Sequence, residues 1–145
     1  MSHHDGPAPQ HRIPEGCDDA TVEAVGLLSE ALEMTERARG HLYSFHQLTG
    51  GADLKLGEAI DNLRGAGHDE AANLLETELL GRNVIPGRWT FQVVEDYDDT
   101  YWSVFRDLEE QVRHRLVQGR RHLFEARMKE DRRTHGHPDH TARPD

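Results

Sequence analysis

The sequence predicts an all-α protein: a four-helix up-down bundle with two long helices (the first and fourth), two short ones between them, and disordered termini. Three observations carry this. Apolar residues recur at threes and fours over two long segments, and no segment alternates with the period of a strand. Glycine and proline pairs divide the chain into four helical stretches. An apolar content of 35% in 145 residues allows one modest core.

Residues 1–17, MSHHDGPAPQHRIPEGC, combine three prolines, two glycines and three histidines without apolar periodicity, and are expected to form a flexible arm outside the fold. Asp18 and Asp19 then supply an N-cap and a favourable charge for a first helix over 19–48. Its apolar face holds Ala24, Leu27, Leu28, Ala31, Leu32, Thr35, Ala38, Leu42 and Phe45, and it is expected to stop at Gly50-Gly51. A second helix over 53–64 would bury Leu56, Ala59, Ile60 and Leu63. A third would start near His68, bury Ala71, Leu75 and Leu79, and end at Gly81.

Pro86-Gly87 breaks the chain again, and Thr90 is the expected N-cap of the fourth helix. Its stripe runs Val94, Tyr97, Tyr101, Phe105, Leu108, Val112, Leu116, Gly119, Leu123 and Ala126, and fades by Arg133. Residues 134–145 follow as a disordered tail. The expected organisation is therefore an arm over 1–17, one helical-bundle domain over 18–133 and a tail over 134–145.

Helix lengths predict self-association. At 1.5 Å per residue the first and fourth helices are roughly 45 and 60 Å long and the middle pair about 20 Å each. The short hairpin completes a bundle at one end only. At the other end Val25, Leu28, Leu32, Leu116, Leu123 and Ala126 would face water, so they are the expected homodimer interface. Charge is also divided: residues 1–110 carry 8 Lys+Arg against 22 Asp+Glu, while 111–145 carry 9 against 5. Opposite-signed ends suit antiparallel or head-to-tail association.

Composition excludes several function classes. A net charge of −10 argues against non-specific binding to nucleic acid or anionic lipid. Apolar runs are too short to span a bilayer, and residues 1–17 lack the apolar core of a signal peptide, so a cytosolic location without membrane association is expected. The single Cys17 has no disulfide partner, and no phosphate-cradling glycine loop or nucleophilic triad is present.

Site chemistry concentrates in 81–105, which holds six of the nine aromatic residues together with Glu95, Asp96, Asp98 and Asp99. Asp98 falls on the inward stripe of the fourth helix. Antiparallel pairing of the long helices puts His41 opposite it and His46 opposite 91–94. An inward carboxylate needs a partner, expected from His41, a tyrosine or an arginine of the 82–88 loop.

The candidate ligand site is therefore His41, Trp89, Tyr97, Asp98 and Tyr101. A metal alternative uses His41, Glu95, Asp98 and Asp99 for iron, manganese or zinc; otherwise no cofactor is expected. The Glu-x-x-His pair that seats iron in helical bundles is absent, which disfavours the metal alternative. Arg82 and Arg88 are expected to pair with neighbouring acids and Trp89 to cap the core; alternatively, this loop holds a small anion or an anionic partner segment. The function these features favour is a non-enzymatic structural or interaction protein, with itself and other proteins as partners. The alternative is a metal- or small-ligand-binding bundle.

Overall fold

The computed structural model describes residues 5–143. Residues 1–4 and 144–145, and with them His3 and His4 of the predicted arm and the end of the predicted tail, lie outside the described residues. The described chain is all-α, with no strand. Helix α1 is Asp19–Gly65 and α2 is Asp69–Glu78. A third helical stretch comprises α3 (Thr90–Tyr97), a π turn (Asp98–Trp102) and α4 (Ser103–Val117), and is followed by α5 (Leu123–Arg132). None of these helices is long and apolar enough to cross a membrane among the described residues.

Two boundaries differ from the sequence expectation. The predicted stop at Gly50-Gly51 does not occur, and the first two predicted helices are one 47-residue helix. Two glycines cost roughly 2 kcal/mol of helix propensity together. Ala52, Leu54, Lys55, Leu56, Glu58 and Ala59 beyond them are strong helix formers, and Ile60 anchors that end by burial at 2% exposure. Propensity and packing outweigh the local penalty.

The predicted fourth helix, by contrast, breaks after Val117. Gln118 and Gly119 take left-handed conformations at φ 58° and 73°, and the Gly119 N–H donates to the Arg113 carbonyl across the helix end. Any side chain on Gly119 would also meet the His114 ring, 2.6 Å from where its Cβ would lie.

A third difference is a shift of phase. The Ser103 N–H donates to the Asp98 carbonyl, five residues back, so one extra residue is wound into the turn. Beyond it the buried positions are Glu109, Arg113 and Val117, whereas Leu108 and Leu116 of the predicted stripe are 53% and 46% exposed. Tyr101 is also more than half exposed. In α2 the buried residue is Ala72 instead of Ala71.

The chain forms two compact units, Met1–Met34 with Val104–Asp145, and Thr35–Ser103. In the first, Val22, Val25, Val117 and Leu123 make the core, and Ile13 and Cys17 of the preceding segment pack on it. That segment, expected to be an arm, has a 3-10 turn at Pro9–His11 and a buried Ala8. Gly26 lets α5 approach α1 closely: a Cβ there would stand 3.0 Å from that of Phe124. Arg133, buried at the end of α5, donates to Glu130 and to Asp5 at 2.7 Å each. Its hydrogen bond, with that of His135, holds the Glu130 carboxyl down at about 2.

In the second unit Ile60, Ala72 and Val94 are buried. The Asp53 carboxylate accepts the Gly81 N–H at 2.9 Å, and Arg64 pairs with Glu76, which folds α2 back along α1.

Because α1 is continuous and nothing lies within 4 Å of a Cβ built on Gly50 or Gly51, replacing both with alanine raises stability by about 1–2 kcal/mol. Urea unfolding measures this. A loss of stability would restore the predicted break.

Candidate functional site

The predicted site stretch folds in the Thr35–Ser103 unit, where α1 and α3 run antiparallel. Arg39 pairs with Asp98, Glu36 with Trp102, and His46 Nδ1 with Thr90 Oγ1 at 2.7 Å. These pairings lie within a few residues of the predicted register. Asp98 is inward as expected, and the cation that meets it is Arg39 of α1, which lies outside the 82–88 loop and two residues before the exposed His41.

Arg39 is the centre of a closed polar cluster. Its Nε and Nη2 donate to the two Asp98 oxygens at 2.8 and 3.2 Å, a bidentate pair, and Nη1 donates to Glu36 at 3.1 Å. The Trp102 ring covers the guanidinium with its centroid 3.6 Å from Cζ, and the indole N–H donates to Glu36 at 2.8 Å. The hydrogen bond from Asp98 raises the Arg39 pKa above the ordinary arginine value. Every charge in the cluster has an opposite within reach, so it is built to hold two helices in register.

The π turn makes this cluster possible. Asp98 opens it and Trp102 closes it, so carboxylate and ring reach the same guanidinium from consecutive turns of one helix. The Thr100 and Ser103 hydroxyls donate to the Asp96 and Asp99 carbonyls that the widened turn disturbs.

Of the remaining predicted ligand residues, the two tyrosines, Tyr97 and Tyr101, meet each other with ring centroids 5.4 Å apart, while His41 and Trp89 stand exposed. Trp89 stands 62% exposed beside Phe91, so it does not cap the core. Glu95 and Asp99 are exposed. Among the described residues no three His, Cys, Asp or Glu side chains converge as a metal-ligand set. The Asp98 carboxylate is occupied by a cation of the protein itself.

Arg88 pairs with an adjacent acid, Asp96, at 2.8 Å as expected. Arg82 does not among the described residues; its guanidinium donates to the Glu78 carbonyl. It lines a groove of about 590 Å³ with Asp53, Leu56, Leu79, Val84 and Trp89. No helical periodicity marks this groove, because its walls come from the middle of α1, the end of α2 and a loop. The clue available in the sequence was the irregular loop 79–90 itself, with three branched apolar residues and a tryptophan outside any predicted stripe.

In the other unit, Ser29, Glu109 and Arg113 form a second polar cluster. The Ser29 hydroxyl and Arg113 Nε each donate to Glu109 Oε1 at 3.0 Å, and Arg113 Nη1 donates to the Gly119 carbonyl. Both charged side chains are below one tenth exposed. They border a cavity of about 290 Å³ that Arg106, Arg120 and Arg121 also line, together with Glu33, Glu110 and Glu125. Of the predicted dimer residues, Val25 and Leu123 are buried in this unit's own core, Leu28, Leu32 and Ala126 are half-buried, and Leu116 is exposed.

Comparison with protein-family models, with curated proteins and with solved structures finds no match.

A double-mutant cycle on Arg39→Ala and Asp98→Ala should give a coupling of roughly 1–2 kcal/mol, because the pair is bidentate and shielded by Trp102. The same cycle on the exposed pair Lys55–Glu58 should give less than about 0.5 kcal/mol. Equal couplings would show that the Arg39 cluster does not set the register.

Proposed function

We propose that the chain is a non-enzymatic interaction protein that works as a homodimer, paired through α4. The observation that carries this is the apolar flank exposed along α4: Val104, Leu108 and Leu116 are each about half exposed. Such a row on a helix is a surface awaiting a partner.

A second copy is the occupant that fits best. Asp107, Glu110, Gln111, His114 and Arg115 form a polar groove along the same helix. A two-fold axis near Val112 lays two α4 helices antiparallel. Leu108 of one copy then meets Leu116 of the other, and on the polar flank the acidic turn around Asp107 meets Arg115 of the second copy. One surface is thus complementary to itself in both charge and apolarity, as a two-fold interface requires.

Each copy contributes α1 and α4, tied by the Ser29–Glu109 hydrogen bond. Two copies then make a four-helix arrangement, which is the bundle the helix lengths call for. Leu116 belongs to this surface, while Val25 and Leu123 serve the core beneath it.

Multi-angle light scattering at micromolar concentration tests the proposal. The full chain is expected at the mass of a dimer, and Leu108→Glu at that of a monomer with unchanged helicity. Leu54→Glu, at a position 76% exposed in the other unit, should leave the dimer intact. A monomeric full chain, or a dimer indifferent to Leu108→Glu, overturns the assignment.

A further inference from the structure

The groove over the loop 79–90 has a composition that the interaction proposal does not use. Its walls are Leu56, Leu79, Val84 and Trp89, and its volume of about 590 Å³ lies in the range of small-molecule sites. Trp89 presents a ring 62% exposed, and Leu79 and Val84 are 48% and 38% exposed.

Two charges share the same walls. Asp53 accepts the Gly81 N–H with Oδ1, and Arg82 donates to the Glu78 carbonyl. Among the described residues, neither has an oppositely charged partner within 4 Å, and both stand exposed at the groove. One free acid and one free base thus flank one apolar surface. Both are seated at fixed points, Asp53 by its bond to the turn that ends α2 and Arg82 one residue beyond that turn.

The geometry points to a binding site for a free α-amino acid with a bulky apolar side chain. Its carboxylate would bind the Arg82 guanidinium, its ammonium the Asp53 carboxylate, and its side chain would lie against Trp89, Leu79 and Val84. A simple anion satisfies only Arg82 and is repelled by Asp53. A simple amine fails in the opposite sense, and a hydrocarbon leaves both charges unused. A zwitterion with an apolar tail meets all three features.

The test is calorimetric titration of the full chain with L-phenylalanine and L-leucine. For an open site of this size the expected Kd is between about 0.1 and 1 mM. 3-Phenylpropionate, which lacks the ammonium, and phenethylamine, which lacks the carboxylate, should each bind at least about tenfold more weakly than phenylalanine. Asp53→Asn keeps the acceptor for Gly81 and so preserves the fold, yet removes the charge; Arg82→Gln is an exposed substitution. Each should weaken phenylalanine by about tenfold, and Trp89→Ala should weaken both amino acids. The proposal is overturned by absence of binding up to about 20 mM, by equal affinity for the single-charge analogues, or by affinities that all three variants leave unchanged.

Discussion

The helical pairing in the Thr35–Ser103 unit depends on Arg39 being gripped from two turns of one helix. An arginine between two antiparallel helices is costly to hold unless its charge and all its donors are met. Asp98 meets it edge-on, Glu36 takes the third nitrogen, and Trp102 covers the face. An ideal α-helix places positions i and i+4 about 40° apart around its axis. Within the π turn Asp98 and Trp102 bring a carboxylate to the edge and an indole to the face of the same guanidinium. The local backbone loses regular hydrogen bonding, which the Thr100 and Ser103 hydroxyls partly restore.

That one turn has effects along the rest of the helix. Adding a residue to a turn rotates everything beyond it by about 100°. Glu109, Arg113 and Val117 therefore come inward, and Leu108 and Leu116 go outward. A charged pair occupies the buried positions of α4 while leucines occupy the outer ones, which is the reverse of what an uninterrupted helix would place there. Ser29 and the Gly119 carbonyl satisfy the pair, so the burial is tolerated. The exposed leucines are the other half of the same rotation, and the dimer proposed above is the state in which they too are covered.

The sequence made legible whatever periodicity governs. The all-α class, the short α2, a restart within one residue of Thr90 (the N-cap is Trp89 instead), the antiparallel pairing of 36–46 with 90–102 and the inward position of Asp98 all follow from spacing. What it concealed has two physical causes. Gly50-Gly51 looked like a terminus because glycine propensity is a local cost, whereas helix continuity is decided by the residues and packing on both sides. The π turn left no mark on the apolar pattern: Phe105, Leu108, Val112 and Leu116 keep their spacing of threes and fours, and only their absolute phase changes. Arg39 was missed as the partner of Asp98 because nothing in its own spacing separates it from the solvent-facing arginines. The groove was missed because it belongs to no helical face.

Two kinds of charged group stand in the structure, and the difference separates architecture from binding. Around Arg39 and around Arg113 each charge is neutralised by a neighbour of opposite sign, hydrogen-bonded at 2.8 to 3.2 Å. Such groups are committed: a ligand reaching Asp98 would have to displace a bidentate guanidinium, and the helices would lose their register with it. Asp53 and Arg82 are the contrary case. Each is fixed by a backbone bond that leaves its charge without an opposite among the described residues, on a surface where Trp89, Leu79 and Val84 are exposed. Folding gains nothing from leaving an acid, a base and a tryptophan face open together, while a molecule carrying the three complements gains from all of them.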